Sequence, residues 1–258
     1  MPEFCTTERD GRILTVVIDR PEVMNALHPP ANIELGKVFD DFCAADDLWV
    51  AIITGAGDRA FSAGNDLKFQ AAGDGKLGVA PMGFGGLTSR EGNFKPVIAA
   101  VNGVSMGGGF EIALACDLIV ASENAVFALP EPRVGLAAMA GGMQRLPQQI
   151  GLKRAMGMLL TGRRVSAAEG LALGFVNEVV PQGELMATAR RWADQIIECA
   201  PLSVRASKQC AMASLAGGTV IENMSQRYDQ LHAMLKSEDF IEGPRAFAEK
   251  RAPSWKGR

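Results

Sequence analysis

Residues 97–121 constrain the fold of this chain more than any other part of it. This is the longest apolar stretch, and it begins with the run 97–101 and ends with the run 118–121. Polar residues and glycines interrupt it, namely Asn102, Ser105, Glu111, Asp117 and the triple glycine 107–109. A membrane span needs about 20 consecutive apolar residues. The pattern therefore predicts a buried strand, a turn, a helix and a second buried strand.

The first two-thirds of the chain alternate between strand-like and helix-like segments. Residues 13–18 are predicted to form a strand, residues 31–45 have helical spacing, and residues 49–54 are predicted to form a second buried strand. Together with the two strands above, this order predicts a sheet with helices packed on it. The fold class is therefore predicted to be α/β.

The last part of the chain, from about residue 185 onward, has a helical pattern. The predicted helices are 184–199, 202–215, 219–235 and 240–250. Their apolar positions at three- and four-residue spacing predict packing on another surface, and a neighbouring subunit is one candidate for it. Between Gly73 and Gly92, glycines are frequent and no period is visible, which predicts a mobile loop that acts as a lid over the site.

Composition and charge limit the classes of function. The 258 residues are 48% apolar and 21% charged, as in a globular protein with a sizeable core, and the net charge of −3 argues against a nucleic-acid binder. The five cysteines form no CxxC pair, so we expect reduced thiols in a cytosol-like compartment. The N-terminus lacks a basic region followed by an apolar one, so no secretory signal is expected and a cytoplasmic location is predicted.

Two glutamates lie in apolar surroundings where an unpaired carboxylate is costly to bury. Glu111 follows the triple glycine in the first turn of a predicted helix, where the macrodipole favours its charged form. Glu131 lies in a rigid turn between two prolines, with no helix to cap. Each has a structural alternative: Glu111 as a helix-start carboxylate, and Glu131 as a salt-bridge partner of Arg133 or Arg145. Together they can activate a water molecule and transfer a proton, which is typical of the catalytic residues of an enzyme.

Two glycine-containing segments are candidate sites for backbone recognition of an anion. The run 102–109 leads into the predicted helix, whose first N–H groups lack partners and suit an anion or an oxyanion. It has neither the GxxxxGK[ST] nor the GxGxxG spacing, which argues against a nucleotide loop. Close helix packing through glycine is an equal alternative. The segment 61–68 follows the second strand, and the N–H of Asn65 is a candidate to point into a cleft, although such turns are often only connectors.

Other chemistries lack support in the sequence. His28 and His232 are the only histidines, and no GxSxG motif accompanies them, which argues against a Ser-His-Asp hydrolase. No cluster of histidines, cysteines and carboxylates has the spacing of metal ligands, so no metal is expected.

Taken together, these segments resemble the crotonase family, the enoyl-CoA hydratases and isomerases, over nearly the whole chain. The order in which the pieces occur is specific, although each piece alone is not. They are Arg20-Pro21 with 24–27, 61–67, Lys95-Pro96 with 102–111, 115–117, Pro130-Glu131, 141–146, 161–180, and 249–253 with 255–257.

The resemblance implies a fold of repeated ββα units followed by helices that join three subunits into a trimer, with trimers pairing into hexamers. On this basis, residues 1–195 are expected to form the core with the acyl-CoA site, and residues 196–258 the trimerisation region. It implies that the N–H groups of Asn65 and Gly108 form an oxyanion hole for the thioester carbonyl. The residues expected to contact CoA are Met24, Ala26, Ala63, Leu67 and Lys68.

The resemblance also implies the chemistry, which is reversible addition of water to a 2-enoyl-CoA in fatty acid metabolism. Glu111 is expected to activate water for attack at C3, and Glu131 to protonate C2. The presence of both glutamates favours a hydratase over an isomerase, which needs one carboxylate, and over a CoA hydrolase. The remaining alternative is a relative that binds acyl-CoA or a protein without catalysing a reaction. No cofactor is expected, because CoA belongs to the substrate, and neither nucleic acid nor a membrane is an expected partner.

Residues 136–140 depart from the family pattern, because many fatty-acyl hydratases have a Pro-Gly-Ala type of turn there. Met139 is expected to place a large flexible side chain near the water or acyl site and to reshape the pocket for a branched, polar or aromatic acyl group. Carnitinyl-CoA dehydratase-like members of the family are similar to this chain at 127–131 and 161–164.

Overall fold

The computed structural model describes residues 3–73 and 81–258, which form ten strands in two sheets. The larger sheet has six strands in the order β1-β2-β3-β5-β7-β10, and the smaller has four in the order β4-β6-β8-β9. The strands are β1 Cys5–Asp10, β2 Ile13–Ile18, β3 Val50–Gly55, β4 Ala60–Ser62, β5 Val97–Val101, β6 Val104–Met106, β7 Leu118–Ser122, β8 Val126–Ala128, β9 Val165–Ser166 and β10 Glu178–Val180.

Strands of the two sheets follow each other in pairs along the chain. The large sheet is parallel from β2 to β10, with only the β1–β2 hairpin antiparallel. After each of β3, β5 and β7, a turn leads into a strand of the small sheet, in which β4, β6 and β8 are parallel. A helix follows the first two pairs. This confirms the α/β class and the repeated ββα units.

The described residues contain eleven α-helices. The prediction of one helix over 219–235 is wrong, because Gln226 adopts an extended conformation and divides it into two helices. The helices are α1 Pro29–Ala44, α2 Leu67–Ala72, α3 Gly108–Ala115, α4 Gly142–Ile150, α5 Leu152–Thr161, α6 Ala167–Leu173, α7 Leu185–Ile197, α8 Pro201–Ser214, α9 Val220–Ser225, α10 Asp229–Leu235 and α11 Glu238–Glu249.

The large sheet is covered on both faces, as expected for parallel strands that are apolar throughout. Every residue of β3 and β5 is buried. On one face, residues such as Ile53 and Val101 join a core that includes side chains of α1 and α3. On the other face, a second core contains Ile52 and Ile98 together with three α7 side chains, those of Leu185, Ala189 and Ala193. The small sheet lies on the α3 side, where the strand ends carry the candidate site.

The segment between Gly73 and Gly92 was predicted to be a mobile lid. Residues 74–80 lie outside the described residues, so the prediction is not tested there. In the remainder the prediction of a mobile loop is wrong, because Phe84–Gly86 forms a 3₁₀ helix packed against α1 and α3. Gly85 N donates to the buried Asn32 Oδ1 over 2.7 Å, and Leu87 and Thr88 are also buried. This half of the segment is therefore a fixed wall.

The C-terminal helices carry many exposed apolar side chains. Val220, Ile221 and Met224 on α9 are each more than 70% exposed, and Phe247 on α11 is 88% exposed. The division at residue 195 and the trimerisation role of residues 196–258 stay predictions. Among residues 3–73 and 81–258, no helix combines the length and apolar character that a membrane crossing requires.

Candidate active site

The carboxyl ends of three parallel strands in the small sheet bring the predicted site residues together. Asn65 follows β4, Gly108 follows β6 and Glu131 follows β8, each within three residues of the strand end. The strands are neighbours, so these residues lie side by side, as is usual for ligand sites at the ends of parallel strands. Gly107 N donates to Ala128 O over 2.9 Å, which holds the ends of β6 and β8 together.

Glu111 lies in the first turn of α3, as predicted, and is only 3% exposed. Its Oε1 accepts a hydrogen bond from Gly142 N over 2.9 Å. Burial raises the pKa of Glu111 from 4.5 to about 7, and the nearby Glu131 also raises it, against the lowering effects of the backbone donors and of Arg145. The pKa of Glu111 is thus raised even though a helix start favours the charged form, because desolvation by burial is the largest effect.

Glu131 opens a 3₁₀ helix, Glu131–Val134, so the expectation of a turn without a helix is wrong. Its Oε2 is buried, and no described residue donates a hydrogen bond to it. Burial raises the pKa of this carboxyl group above its ordinary value. The alternative of a salt bridge is excluded within the described residues, because Arg133 Nε donates to Thr161 O and Arg145 donates to two other carbonyls. A buried carboxyl oxygen without a hydrogen-bond partner is a mark of a reactive site.

One cavity of about 160 Å³ is lined by both glutamates, Asn65 and Gly108. Its other walls are mainly apolar, and its only charged lining residues in the described part of the chain are the two carboxylates. The lining includes Met139, which is 62% exposed, as the sequence predicted for a pocket-shaping residue. The remaining lining residues are Asn32, Gly83, Phe84, Thr88, Ser89, Leu136, Ala137 and Ala140.

The backbone N–H groups of Asn65 and Gly108 form a pair of free donors beside this cavity. Within the described residues, neither N–H has an acceptor. Leu27 fixes the chain on both sides of Asn65, because Leu27 N donates to Gly64 O and Asp66 N donates to Leu27 O. Gly64 has φ +88°, and a Cβ there would lie 2.9 Å from Gly108 N. Only glycine therefore allows the two N–H groups to approach each other.

The residues predicted to contact CoA lie next to this donor pair, not on the cavity. Met24 and Asn25 form a left-handed turn, with φ of 57° and 55°, and Ala63 N donates to Met24 O over 2.9 Å. Leu67 and Lys68 begin α2 and are exposed. Ala26 is buried, and the CoA-binding role of Met24, Ala26, Ala63, Leu67 and Lys68 stays a prediction.

Sequence reasoning missed several residues that build the site. Arg20 Nη1 donates to Ala26 O and to Asp66 Oδ2, so it ties the turn at residues 24–26 to the segment after Asn65. The Arg20-Pro21 pair was the available signal. Phe84 packs on Gly108, where a Cβ would lie 2.5 Å from the Phe84 ring. No sequence signal identified Phe84, because it lies in a segment without periodicity.

A model of the enoyl-CoA hydratase/isomerase family matches residues 8–258. The chain belongs to this family. Among curated relatives, the carnitinyl-CoA dehydratases of Salmonella typhi and Escherichia coli O157:H7 are each 45% identical, over 265 and 267 residues, with 100% of both chains covered. The family membership and fold class predicted from the sequence are confirmed.

Solved structures of the crotonase family have the same fold. A probable enoyl-CoA hydratase/isomerase from Mycobacterium abscessus superposes with a TM-score of 0.91 at 39% identity, with 100% of both chains covered. An enoyl-CoA hydratase from Mycobacterium tuberculosis H37Rv gives a TM-score of 0.91 at 37% identity over 99% of both chains. This crotonase-family chain is thus an enzyme of the hydratase/dehydratase type, which is a lyase activity, as predicted.

Proposed function

We propose that this enzyme catalyses the reversible addition of water to the 2,3 double bond of a 2-enoyl-CoA thioester. The observation that carries the proposal is that one cavity brings together the carboxyl groups of the buried Glu111 and the half-buried Glu131 with two backbone N–H groups that have no acceptor among the described residues. The full-length likeness to hydratases and dehydratases supports it.

The donor pair supplies the electrostatic part of the mechanism. The N–H groups of Asn65 and Gly108 bind the thioester carbonyl and stabilise the negative charge that develops on its oxygen as the enolate forms. Removing one donor of such a pair typically slows an enzyme about 10²- to 10³-fold. CoA itself extends past Ala63 and Leu67, which adjoin Asn65 in the chain.

The two glutamates transfer the protons. In the hydration direction, Glu111 takes a proton from water as the water oxygen bonds to C3, and the π electrons move towards C2 and the thioester. Glu131 then gives a proton to C2, which completes the 3-hydroxyacyl-CoA. Dehydration reverses each step. The reactive state holds one proton on the pair, and the mutual repulsion of the two charges favours that state.

For the acyl group, we propose a carnitinyl residue, a 3-hydroxyacyl chain that ends in a trimethylammonium cation. The 45% identity to carnitinyl-CoA dehydratases supports this choice. So does the charge of the cavity, because its only charged lining residues in the described part of the chain are carboxylates. A cation attached one carbon from C3 therefore lies close to at least one negative charge in the reactive state.

Two substrates of matched shape test the acyl group. The enzyme would be given carnitinyl-CoA and its neutral isostere 3-hydroxy-5,5-dimethylhexanoyl-CoA, and the appearance of the conjugated enoyl product would be followed by absorbance and mass. We expect kcat/KM to be at least about tenfold higher for the cation, the factor that about 1.4 kcal/mol provides. Equal values for both substrates would contradict the carnitinyl assignment.

Crotonyl-CoA tests the reaction class independently of the acyl group. A product heavier by one water establishes hydration. A shifted alkene identifies an isomerase, free CoA identifies a hydrolase, and tight binding without turnover identifies a silent binder.

We also propose that the enzyme forms a homotrimer, or a hexamer of two trimers, through residues 196–258. The exposed apolar side chains of α9 and α11 support this assembly, because isolated patches of this kind mark interfaces. Light scattering on the purified protein tests it, and a monomer at micromolar concentration would contradict it.

A further inference from the structure

Arg145 on α4 has an unusual set of hydrogen-bond partners for a partly buried arginine. Its Nη2 donates to Thr88 O over 2.8 Å and its Nη1 donates to Ala140 O over 3.3 Å. Among the described residues it forms no salt bridge, whereas arginines removed from water usually pair with a carboxylate. Burial accordingly lowers the pKa of Arg145 from its ordinary value. Keeping the Arg145 guanidinium charged at this position therefore costs desolvation free energy.

The two carbonyls that Arg145 binds belong to different walls of the cavity. Thr88 ends the wall that contains Phe84, and Thr88 Oγ1 accepts a hydrogen bond from Phe84 N over 2.7 Å. Ala140 ends the wall formed by residues 136–140, which includes Met139. The planar guanidinium group reaches both walls because its donors diverge from one fork, which a lysine ammonium does not reproduce.

Arg145 also lies near Glu111, because its Nη1 binds Ala140 O just before α4, where Gly142 N donates to Glu111 Oε1, and its charge acts on that carboxylate. It favours the ionised carboxylate, against burial and against the charge of Glu131. Three other elements packed on α3, namely β4, β6 and the 3₁₀ helix Phe84–Gly86, contain no charged residue. Cys116 follows the C-terminal end of α3, and burial raises the pKa of its thiol. Arg145 is thus a cation whose charge favours the ionised form of Glu111.

We propose that Arg145 is a positioning residue, whose fork ties the Thr88 wall to the Ala140 wall and whose charge favours the ionised form of Glu111. The inference rests on the proposed function, because it takes Glu111 to be the base for hydration. It assigns two separable effects to one side chain, one geometric and one electrostatic.

Two substitutions separate these effects. Arg145→Gln removes both, so we expect KM for the enoyl-CoA to rise and the acid limb of the kcat/KM–pH profile to move upward by roughly half a unit to one unit. Arg145→Lys keeps the charge but not the fork, so we expect the acid limb to stay in place while KM still rises. The exposed Arg154 on α5 provides the matched control, and Arg154→Gln should leave both quantities unchanged.

The outcomes distinguish this inference from the proposed function. An inactive wild-type enzyme would contradict the proposed function. An active wild-type enzyme whose Arg145→Gln variant keeps the wild-type acid limb would overturn the electrostatic role alone. A wild-type KM in Arg145→Lys would contradict the inference that the guanidinium fork holds the two walls together. If Arg145→Gln does not fold, Arg145→Lys still tests whether the fork joins the two walls. Arg145→Met then tests whether loss of the charge moves the acid limb of the kcat/KM–pH profile.

Discussion

The N–H of Gly142 donates to Glu111 Oε1 over 2.9 Å, and a Cβ on Gly142 would lie 3.1 Å from Glu111 Cγ. The start of α4 therefore packs directly against the carboxylate on α3. The backbone N–H groups of Gly142 and Ala140 favour the charged form of this acid, but burial outweighs them, so the pKa of Glu111 stays raised, at about 7. A base with a pKa near the working pH is suited to accept a proton from water and return it.

Burial of Glu111 predicts a stability cost that depends on pH. Its folded pKa of about 7 exceeds the ordinary value of 4.5, so the stability present below pH 4.5 is lost as pH rises through 7. Glu111→Gln keeps the acceptor for Gly142 N and cannot ionise. We expect the variant to exceed the wild type in unfolding free energy at pH 8, by at most about 3 kcal/mol. The difference should vanish near pH 4.5.

Denaturant titration of the wild type and Glu111→Gln at pH 4.5 and pH 8 measures this difference in unfolding free energy. The exposed Glu123 offers a control, because Glu123→Gln should change stability equally little at both pH values. A Glu111→Gln effect of the same size at both pH values would show that desolvation of the charge is not its cause.

The close packing around Gly64 predicts that only glycine at this position lets the N–H groups of Asn65 and Gly108 lie close together. A Cβ at this position would lie 2.6 Å from Met106 O and 2.9 Å from Gly108 N, and the φ of +88° disfavours any other residue. We expect Gly64→Ala to move Asn65 away from Gly108 and to lower kcat by about 10²- to 10³-fold.

Gly57 provides the control for backbone strain alone. It has φ +77°, but a Cβ at this position would meet only open space among the described residues. Gly57→Ala should cost stability and leave kcat nearly unchanged. Equal losses of kcat in both variants would mean that strain, and not the position of the donors, limits the reaction.

The enzyme is expected to need no metal ion. Among residues 3–73 and 81–258, no group of histidines, cysteines and carboxylates is arranged to hold one. Hydration rates measured before and after dialysis against EDTA should agree. A loss of activity that Mg²⁺ or Zn²⁺ restores would contradict this expectation.

The sequence predicted the parts of the fold with strong local patterns. The buried strand Val50–Gly55 was visible because each residue is compatible with an apolar sheet interior. The strands of the small sheet, such as Ala60–Ser62, have only two or three residues and no period, so they were missed. The break at Gln226 was missed because the apolar spacing continues across it.

The site was predictable in its residues but not in its energetics. Glu111 and Glu131 stood out as acids in apolar surroundings, and Asn65 and Gly108 by resemblance. Their convergence at neighbouring strand ends follows from the order of the small sheet, which the sequence did not reveal. The burial that raises the pKa of Glu111 depends on packing against parts of the chain that are distant in sequence, such as Gly142 at the start of α4. For the same reason, Arg145 was considered only as a salt-bridge partner.

Hydrogen exchange at C2 of a saturated acyl-CoA, measured in D₂O beside the hydration rate, tests the division of roles between Glu111 and Glu131 most directly. Hydration needs both acids, so Glu111→Gln and Glu131→Gln should each lose roughly 10²- to 10⁴-fold in kcat. Exchange needs only the acid at C2. We expect it to persist in Glu111→Gln and to be lost in Glu131→Gln, with acyl-CoA binding retained in both. Exchange lost in Glu111→Gln but kept in Glu131→Gln, or near-normal hydration in either variant, would contradict the account.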